Sequence, residues 1–458
     1  MNHGRRLTYK ALAMLVLLLF LIPSMSHPLA SRVKIMQGCA VINENNARNS
    51  PMADWTFLVY LDGDYYDLEN YVIKFINDME FVGSSPRVNI IVQIDDYAMW
   101  NGQTKRYSIL HDTDPDVFAD YKENINMWTL GEQNMGHPQT LIDFVCWAVD
   151  NYPAEHYSLS LFNHGKGWQG LCNDETNKDE LTVEELTNAL KEISHHINGK
   201  MNVLLFFACL MGMIEVFYPL KEYVEFSIAS EKRLDGEEFS FKKILNKLTN
   251  QPSLSSHEFA QSIVDNSYYE SGDTRYHIVF GVRMEKMGEL ICALDDLSQA
   301  LLTSLPSSEI LKEIYSLSRV SSATPSNPYP NDVYRLAERI LYLVEDYEIK
   351  EAAQKVMELM NESVIRPPSG EKDYVNPRIN GISICFPPSE KNFDGYVYND
   401  LAFSRDTEWD DFISEFFNKV DYSSVTYKNR EHALIDFFTS FINAPIMRLL
   451  RYMFAALG

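Results

Sequence analysis

Two residues at the ends of apolar runs could do nucleophilic chemistry together. His164 follows Ser158-Leu159-Ser160-Leu161-Phe162-Asn163, and Cys209 follows Val203-Leu204-Leu205-Phe206-Phe207-Ala208. A thiol of pKa about 8.5 is mostly protonated at neutral pH and needs a base or a cationic neighbour to become a thiolate. A histidine of pKa about 6.5 can take that proton and hand it to a leaving amine. Gly165, beside the His, leaves room for a backbone N–H to face a developing oxyanion, and the N–H of Cys209 is the natural second donor. The two residues stand 45 positions apart, so only the fold can bring them together.

The elements around them are those of a parallel sheet. A short apolar run bounded by polar or Gly residues reads as a buried parallel strand. Chemistry in open parallel sheets sits at the carboxyl ends of strands. Further strands are expected at Thr56–Leu61, which runs into the acidic turn Asp62-Gly63-Asp64, at Val88–Ile94, at Arg106–Leu110 and at Phe226–Ala229. Pro138–Asn151 carries Leu141, Phe144, Val145 and Ala148 at helical spacing, with Pro138 suited to the first turn. Thr182-Val183-Glu184-Glu185 is a capping-box pattern opening a helix to about His195. Asp67 reads as the N-cap of a helix to about Glu80. Strands alternating with helices of this length imply an α/β sheet covered on both faces. The alternation weakens near residue 290; residues 290–365 read as mainly helical, and Gly381–Phe386 as a late strand.

The chain has 458 residues and a formal net charge of −24, which argues against nucleic acid as a partner because phosphate binding needs clustered Lys and Arg. Arg5, Arg6 and Lys10 precede the apolar stretch Ala11–Ile22, too short to span a bilayer comfortably. Residues 1–30 therefore read as an export signal, cleaved or kept as an anchor, and the protein as periplasmic, surface-bound or secreted. The organisation expected is a signal (1–30), a linker (31–53), a catalytic α/β domain (54–290), a mainly helical region with the late strand (291–420) and an apolar tail (421–458). That tail is either a packed amphipathic helix or a membrane-surface attachment. The six cysteines include no Cys-x-x-Cys, and their spacing suits no zinc site. Cys146, Cys292 and Cys385 sit inside apolar patterns and read as buried hydrophobes.

Three motifs carry less than they suggest. Gly165-Lys166-Gly167-Trp168-Gln169-Gly170 matches a dinucleotide fingerprint, but polar residues 173–180 follow where a helix would have to begin. Asp112, Asp114 and Asp116 alternate as in a calcium loop, yet Pro115 intervenes and the turn glycine is missing. His195-His196 has no partner at ligand spacing and reads as a helix-end pair.

Asn163-His164-Gly165-x-Gly167-Trp168 and Ala208-Cys209-Leu210-Met211-Gly212-x-x-Glu215-Val216 resemble the two signature blocks of the clostripain-type cysteine peptidases. Stretches from about residue 54 to 417 are similar as well, including Met135–Trp147, Ala229-Ser230-Glu231, Gly381–Pro387 and Trp409–Phe412. The resemblance implies a caspase-like three-layer α/β sandwich with a mostly parallel sheet, plus the mainly helical C-terminal region. It implies His164 as general base, Cys209 as nucleophile, and Gly165 and Cys209 as oxyanion donors. It further implies hydrolysis of peptide or protein substrates through a thioester, with no cofactor required, although some members depend on calcium. Some members are matured by cleavage in the linker between the His and the Cys, where Lys178 lies in a polar stretch. One departure stands out. The family usually has Asp two residues before the Cys, lining a pocket for Arg or Lys, and this chain has Phe207. Ser230, Glu231, Asp235 and Glu237 are candidates for the same pocket, with Asp235, Glu237 or Glu238 as the substitute charge. An idle binding relative or a transpeptidase would be the alternatives to a hydrolase.

Overall fold

The computed structural model describes residues 52–96, 102–112, 127–320 and 329–420. Its first strand, β1 (Ala53–Gly63), leads into helix α1 (Glu69–Glu80) and then β2 (Val88–Asp96), β3 (Thr104–Ser108) and β4 (Met127–Gly131). Helix α2 (Pro138–Asn151) precedes β5 (Ala154–Phe162), the hairpin β6 (Leu171–Asp174) and β7 (Asp179–Leu181), and α3 (Val183–Ile197). Next come β8 (Met201–Phe207), α4 (Ile214–Leu220) and β9 (Val224–Ala229). Helices α5 (Phe241–Asn250) and α6 (Ser256–Asn266) follow, then β10 (Tyr269–Ser271), β11 (Thr274–His277) and β12 (Phe280–Arg283). The C-terminal part holds α7 (Met287–Thr303), α8 (Ser308–Ser318), β13 (Pro330–Asp332), α9 (Val333–Leu343) and α10 (Tyr347–Ser363). Strands β14 (Val364–Ile365), β15 (Asp373–Val375) and β16 (Ser383–Cys385) follow, and then helices α11 (Gly395–Tyr398), α12 (Ala402–Arg405) and α13 (Trp409–Lys419).

The main sheet runs in the order β14-β12-β9-β8-β5-β1-β2-β3-β4. Its centre, β9-β8-β5-β1-β2, is parallel, and antiparallel strands flank it on both sides. The chain moves outward from β1 to β2 in one direction and from β5 to β8 and β9 in the other. The carboxyl ends of β1 and β5 therefore border the point where the strand order reverses, which is where open α/β sheets place their sites.

The central strands are apolar on both faces because helices cover both. Phe57 packs against Phe241 and Phe259 on one side, while Tyr60, of opposite parity, meets Phe144 on the other. Helices α1, α5 and α6 form one layer, α2 and α3 the second. Local signals hold where the sequence carries them. His137 Nδ1 accepts the Gln139 N–H to cap α2. Thr182 and Glu185 form the expected reciprocal capping box of α3. Asp67 does not cap α1; Leu68 occupies that position without a side-chain cap. Residues 173–180 form part of a hairpin rather than a plain loop, and no helix follows Gly170, so the glycines there do not open a nucleotide-binding helix.

The late strand backs the turn that follows β8. Ser383 N–H donates to Gly212 O (2.8 Å), and Cys385 N–H to Glu215 Oε1 (2.7 Å). Glu215 is fully buried, and burial pushes its carboxyl up to about 7. Residues 1–51, Asp114, Asp116 and the tail 421–458 lie outside the described residues. Among the described residues, no helix is long and apolar enough to cross a membrane.

Candidate active site

Strand register decides where His164 and Cys209 emerge. Phe162 on β5 pairs with Phe207 on β8, in parallel. His164 and Cys209 each follow two residues later, so they leave the same sheet edge side by side. Asn163 fixes the first exit: its amide donates to Asp62 O (3.1 Å), and its Oδ1 accepts the Asn173 N–H (3.0 Å). This ties the end of β5 to the end of β1 and to the β6–β7 hairpin.

Gly165 lies directly on the Cys209 backbone. A Cβ there would stand 2.3 Å from Cys209 O, 2.9 Å from Cys209 N and 3.0 Å from Ala208 Cβ. Only glycine fits that approach. The chain after Cys209 turns sharply. Leu210 takes φ +65°, a conformation costing about 1–2 kcal/mol for a side-chain-bearing residue. Its N–H donates to Lys232 O (3.0 Å), and Gly212 N–H to Ser230 O (2.9 Å). The segment 230–234 thus folds over the turn, and Leu234 N–H donates to Cys209 Sγ (3.3 Å). Burial pushes the Cys209 thiol up; the Leu234 N–H and the Arg233 charge act the other way, and Glu238 and Asp235 act with burial.

The imidazole has a partner that sequence reading assigned elsewhere. His164 Nε2 lies 3.0 Å from Asp67 Oδ1, and the Tyr65 ring meets the imidazole edge-on at 4.7 Å. A carboxylate accepts, so the tautomer that makes this bond carries its N–H on Nε2, which leaves Nδ1 as the acceptor nitrogen. The sequence signal for Asp67 was its place just past an apolar strand end; the capping reading competed with it.

The expected pocket residues separate into two groups. Phe207 is 2% exposed and packs among Phe239 (4.4 Å), Phe75 (4.6 Å) and Phe162 (5.5 Å). Ser230 and Glu231 are buried as well. Ser230 Oγ donates to Ile278 O (2.7 Å), and Glu231 Oε1 accepts the N–H groups of Asn380 and Gly381. These three hold the framework. Asp235 and Glu237 are exposed and Glu238 is buried; Glu238 accepts the Asp235 N–H (3.0 Å). Of these acids, Asp235 and Glu238 bear on the Cys209 thiol. Lys178 sits exposed at the β6–β7 turn with φ +55°. His195 and His196 are exposed near the end of α3, where His196 pairs with Asp150 (2.9 Å).

This arrangement of a thiol, an imidazole and close backbone N–H groups at one sheet edge is what acyl transfer requires. The chain matches the clostripain family model over residues 59–416. Clostripain from Hathewaya histolytica is 25% identical over 403 residues, covering 74% of this chain and 76% of that protein. A secreted C11 cysteine protease from Bacteroides thetaiotaomicron, solved with an irreversible peptide inhibitor, shares 18% identity and superposes with a TM-score of 0.55, over 78% of this chain and all of that one. An inactive zymogen C11 protease from Parabacteroides distasonis is also 18% identical, with a TM-score of 0.57, over 78% and 99% of the two chains.

Proposed function

The chain belongs to the clostripain family of cysteine endopeptidases with a caspase-like fold, and from that premise we propose that His164 and Cys209 are its catalytic pair. The observation carrying this is the β5–β8 register together with Gly165 against the Cys209 backbone. In this scheme His164 Nδ1 takes the thiol proton as Sγ attacks the scissile carbonyl. A C–S bond forms, the C–N bond breaks, and the imidazolium returns the proton to the leaving amine. Water, deprotonated by the same ring, then attacks the acyl carbon: a C–O bond forms, the C–S bond breaks, and the Cys209 sulfur recovers the proton from the imidazolium. The N–H groups of Gly165 and Cys209 face the oxyanion. Asp67 is a positioning residue: it holds the Nε2–H tautomer and steadies the imidazolium. Substrates are peptides or proteins.

The pocket proposed here is acidic without a carboxylate at position 207. Asp235 and Glu238 supply the charge near the thiol, while Phe207 faces other aromatic rings. We expect Arg and Lys to be accepted at P1 without being required. Maturation is proposed at Lys178, whose exposed, left-handed turn presents the following bond to a protease. Export rests on the basic n-region and the Ala11–Ile22 stretch. A panel of P1-varied fluorogenic peptides, run with wild type and Cys209→Ala, tests the reading. Turnover that requires Cys209 and extends to apolar P1 groups supports it. A strict Arg/Lys requirement overturns the relaxed pocket, and turnover by Cys209→Ala overturns the nucleophile.

A further inference from the structure

One face of the small sheet β10-β11-β15 is lined with aromatic rings that the proposed mechanism does not use. Tyr269 is the register partner of Tyr276, and Tyr276 of Tyr374, so the three rings share a face. Tyr269 and Tyr276 stack at 4.8 Å with 8° between their planes, and Tyr374 follows at 5.3 Å. Tyr374 is 46% exposed, and the other two are half-buried. The opposite face carries paired charges. There Arg275 meets Glu270 (4.0 Å) and Asp373 (3.9 Å), and His277 Nε2 lies 3.1 Å from Asp373 Oδ1. Arg275 (5.1 Å) and Lys243 (4.0 Å) both stand over the Tyr268 ring, which shares that face.

The hairpin β10–β11 stands on the side where the acyl half of a substrate must run. Given the His164–Cys209 pair proposed above, the leaving amine lies beside His164, which protonates it. The acyl half then runs the other way, past Cys209 toward β9 and β12, the next strands in the sheet order. The hairpin leads directly into β12. Its root is held by Lys243 over Tyr268, in the first turn of α5. Between Cys209 and that helix come Leu234, whose N–H meets the sulfur, and then Asp235 and Glu238. Burial, then the charges of Tyr276, Glu238 and Asp235, push the Tyr269 hydroxyl up. The same two acids act on the Cys209 thiol, so they border both the thiol and the tyrosine face.

An extended peptide turns alternate side chains to one side, about 6.6–6.8 Å apart. With P1 beside Asp235 and Glu238, the next side chain on that side is P3, the third residue before the scissile bond. It falls on the Tyr269–Tyr276–Tyr374 face. A cation is what such a face attracts, because the ring quadrupoles and the bordering carboxylates act with the same sign. The planar guanidinium also stacks on aromatic rings, which favours Arg over Lys. We propose that Tyr269, Tyr276 and Tyr374 form a subsite for an Arg or Lys side chain at P3 of the substrate, where they determine specificity without touching the reacting atoms.

The test uses the full-length enzyme and peptides with one fixed P1, Ala at P2 and P4, and Arg, Lys, citrulline, Ala or Glu at P3. The kcat/KM for Arg at P3 should exceed that for Ala by about fivefold or more, with Lys between them and Glu below Ala. Citrulline, which has the shape of Arg without its charge, should lose most of the gain. Arg moved to P2 or P4 should gain less than at P3. Tyr276→Leu and the exposed Tyr374→Leu should each lower the Arg-to-Ala ratio at least twofold, and Tyr347→Leu, 75% exposed at the start of α10, should leave it unchanged. Equal turnover of Arg and Ala at P3, citrulline as good as Arg, or a larger gain at P2 or P4 overturns the subsite; if that turnover still requires Cys209, the catalytic pair stands. An unchanged ratio in Tyr374→Leu overturns it even if Tyr276→Leu does not fold. Turnover by Cys209→Ala overturns the catalytic pair and, with it, the subsite placed from it.

Discussion

Gly165→Ala is the smallest change that should disable this protein. The added methyl would stand 2.3 Å from Cys209 O and 2.9 Å from Cys209 N. Ordinary van der Waals contact begins at 3.4 Å. One backbone segment must therefore retreat by about 1 Å from the other, and both bear proposed catalytic groups. Neither is a flexible side-chain end that could swing aside. A misplacement of about 1 Å in an active site can cost on the order of 10²-fold in rate. Overpacking in a closed interior typically costs about 1–3 kcal/mol of stability. The assay is kcat/KM on the best peptide of the P1 panel, beside a urea midpoint. Gly199→Ala is the control, because a Cβ there meets nothing within 4 Å. The expected result is a loss of about a hundredfold or more for Gly165→Ala with a measurable drop in midpoint, and no loss for Gly199→Ala. A Gly165→Ala enzyme within twofold of wild type would refute the close approach on which the proposed site is built.

Three further outcomes follow from the same geometry. Asp67→Asn should lower kcat more than it raises KM and shift the acidic limb of the pH profile, because Asn can present either donor or acceptor to Nε2; an unchanged profile would remove Asp67 from the site. Phe207→Asp should cost about 3 kcal/mol or more, since it leaves a cavity and a buried carboxylate among rings. A stable Phe207→Asp enzyme with sharpened Arg preference would show instead that position 207 faces the pocket. Glu215 supplies a pH test. Its carboxyl is raised by burial to about 7 in the folded state from its ordinary 4.5, so its contribution is complete below pH 4.5 and is lost as pH rises through about 7. Urea unfolding of wild type should therefore weaken relative to Glu215→Gln by about 3 kcal/mol across that window; a pH-independent difference between the two would contradict the shift.

How much of this was legible in the residues differs from element to element. The strands ending at Phe162 and Phe207 were readable because strands covered on both faces are continuous apolar runs. Helices α2 and α3 were readable from periodicity and from their first turns. The role of Asp67 was hidden by its position, one residue before the actual cap Leu68, and its partner stands 97 residues away. The approach of Asp64, Glu132 and Asp174 to one another was hidden because they come from three chain segments, each of which alone resembles a solvated turn. Phe207 shows the reverse case: a position two before Cys209 suggested a pocket wall, and tertiary packing buried it among Phe75, Phe162 and Phe239. The hairpin at 171–181 was masked by polar residues whose side chains bond to Asp64, Glu132 and Asn134.

The most direct measurement of the central claim is intact-mass and peptide mapping after treatment with an irreversible thiol-directed peptide probe, using wild type, Cys209→Ala and His164→Ala. The account predicts one adduct per wild-type chain, mapped to Cys209. It predicts none on Cys209→Ala and labelling slowed by about 10²-fold or more on His164→Ala. An adduct on exposed Cys292 instead, or His164→Ala labelled at the wild-type rate, would contradict it.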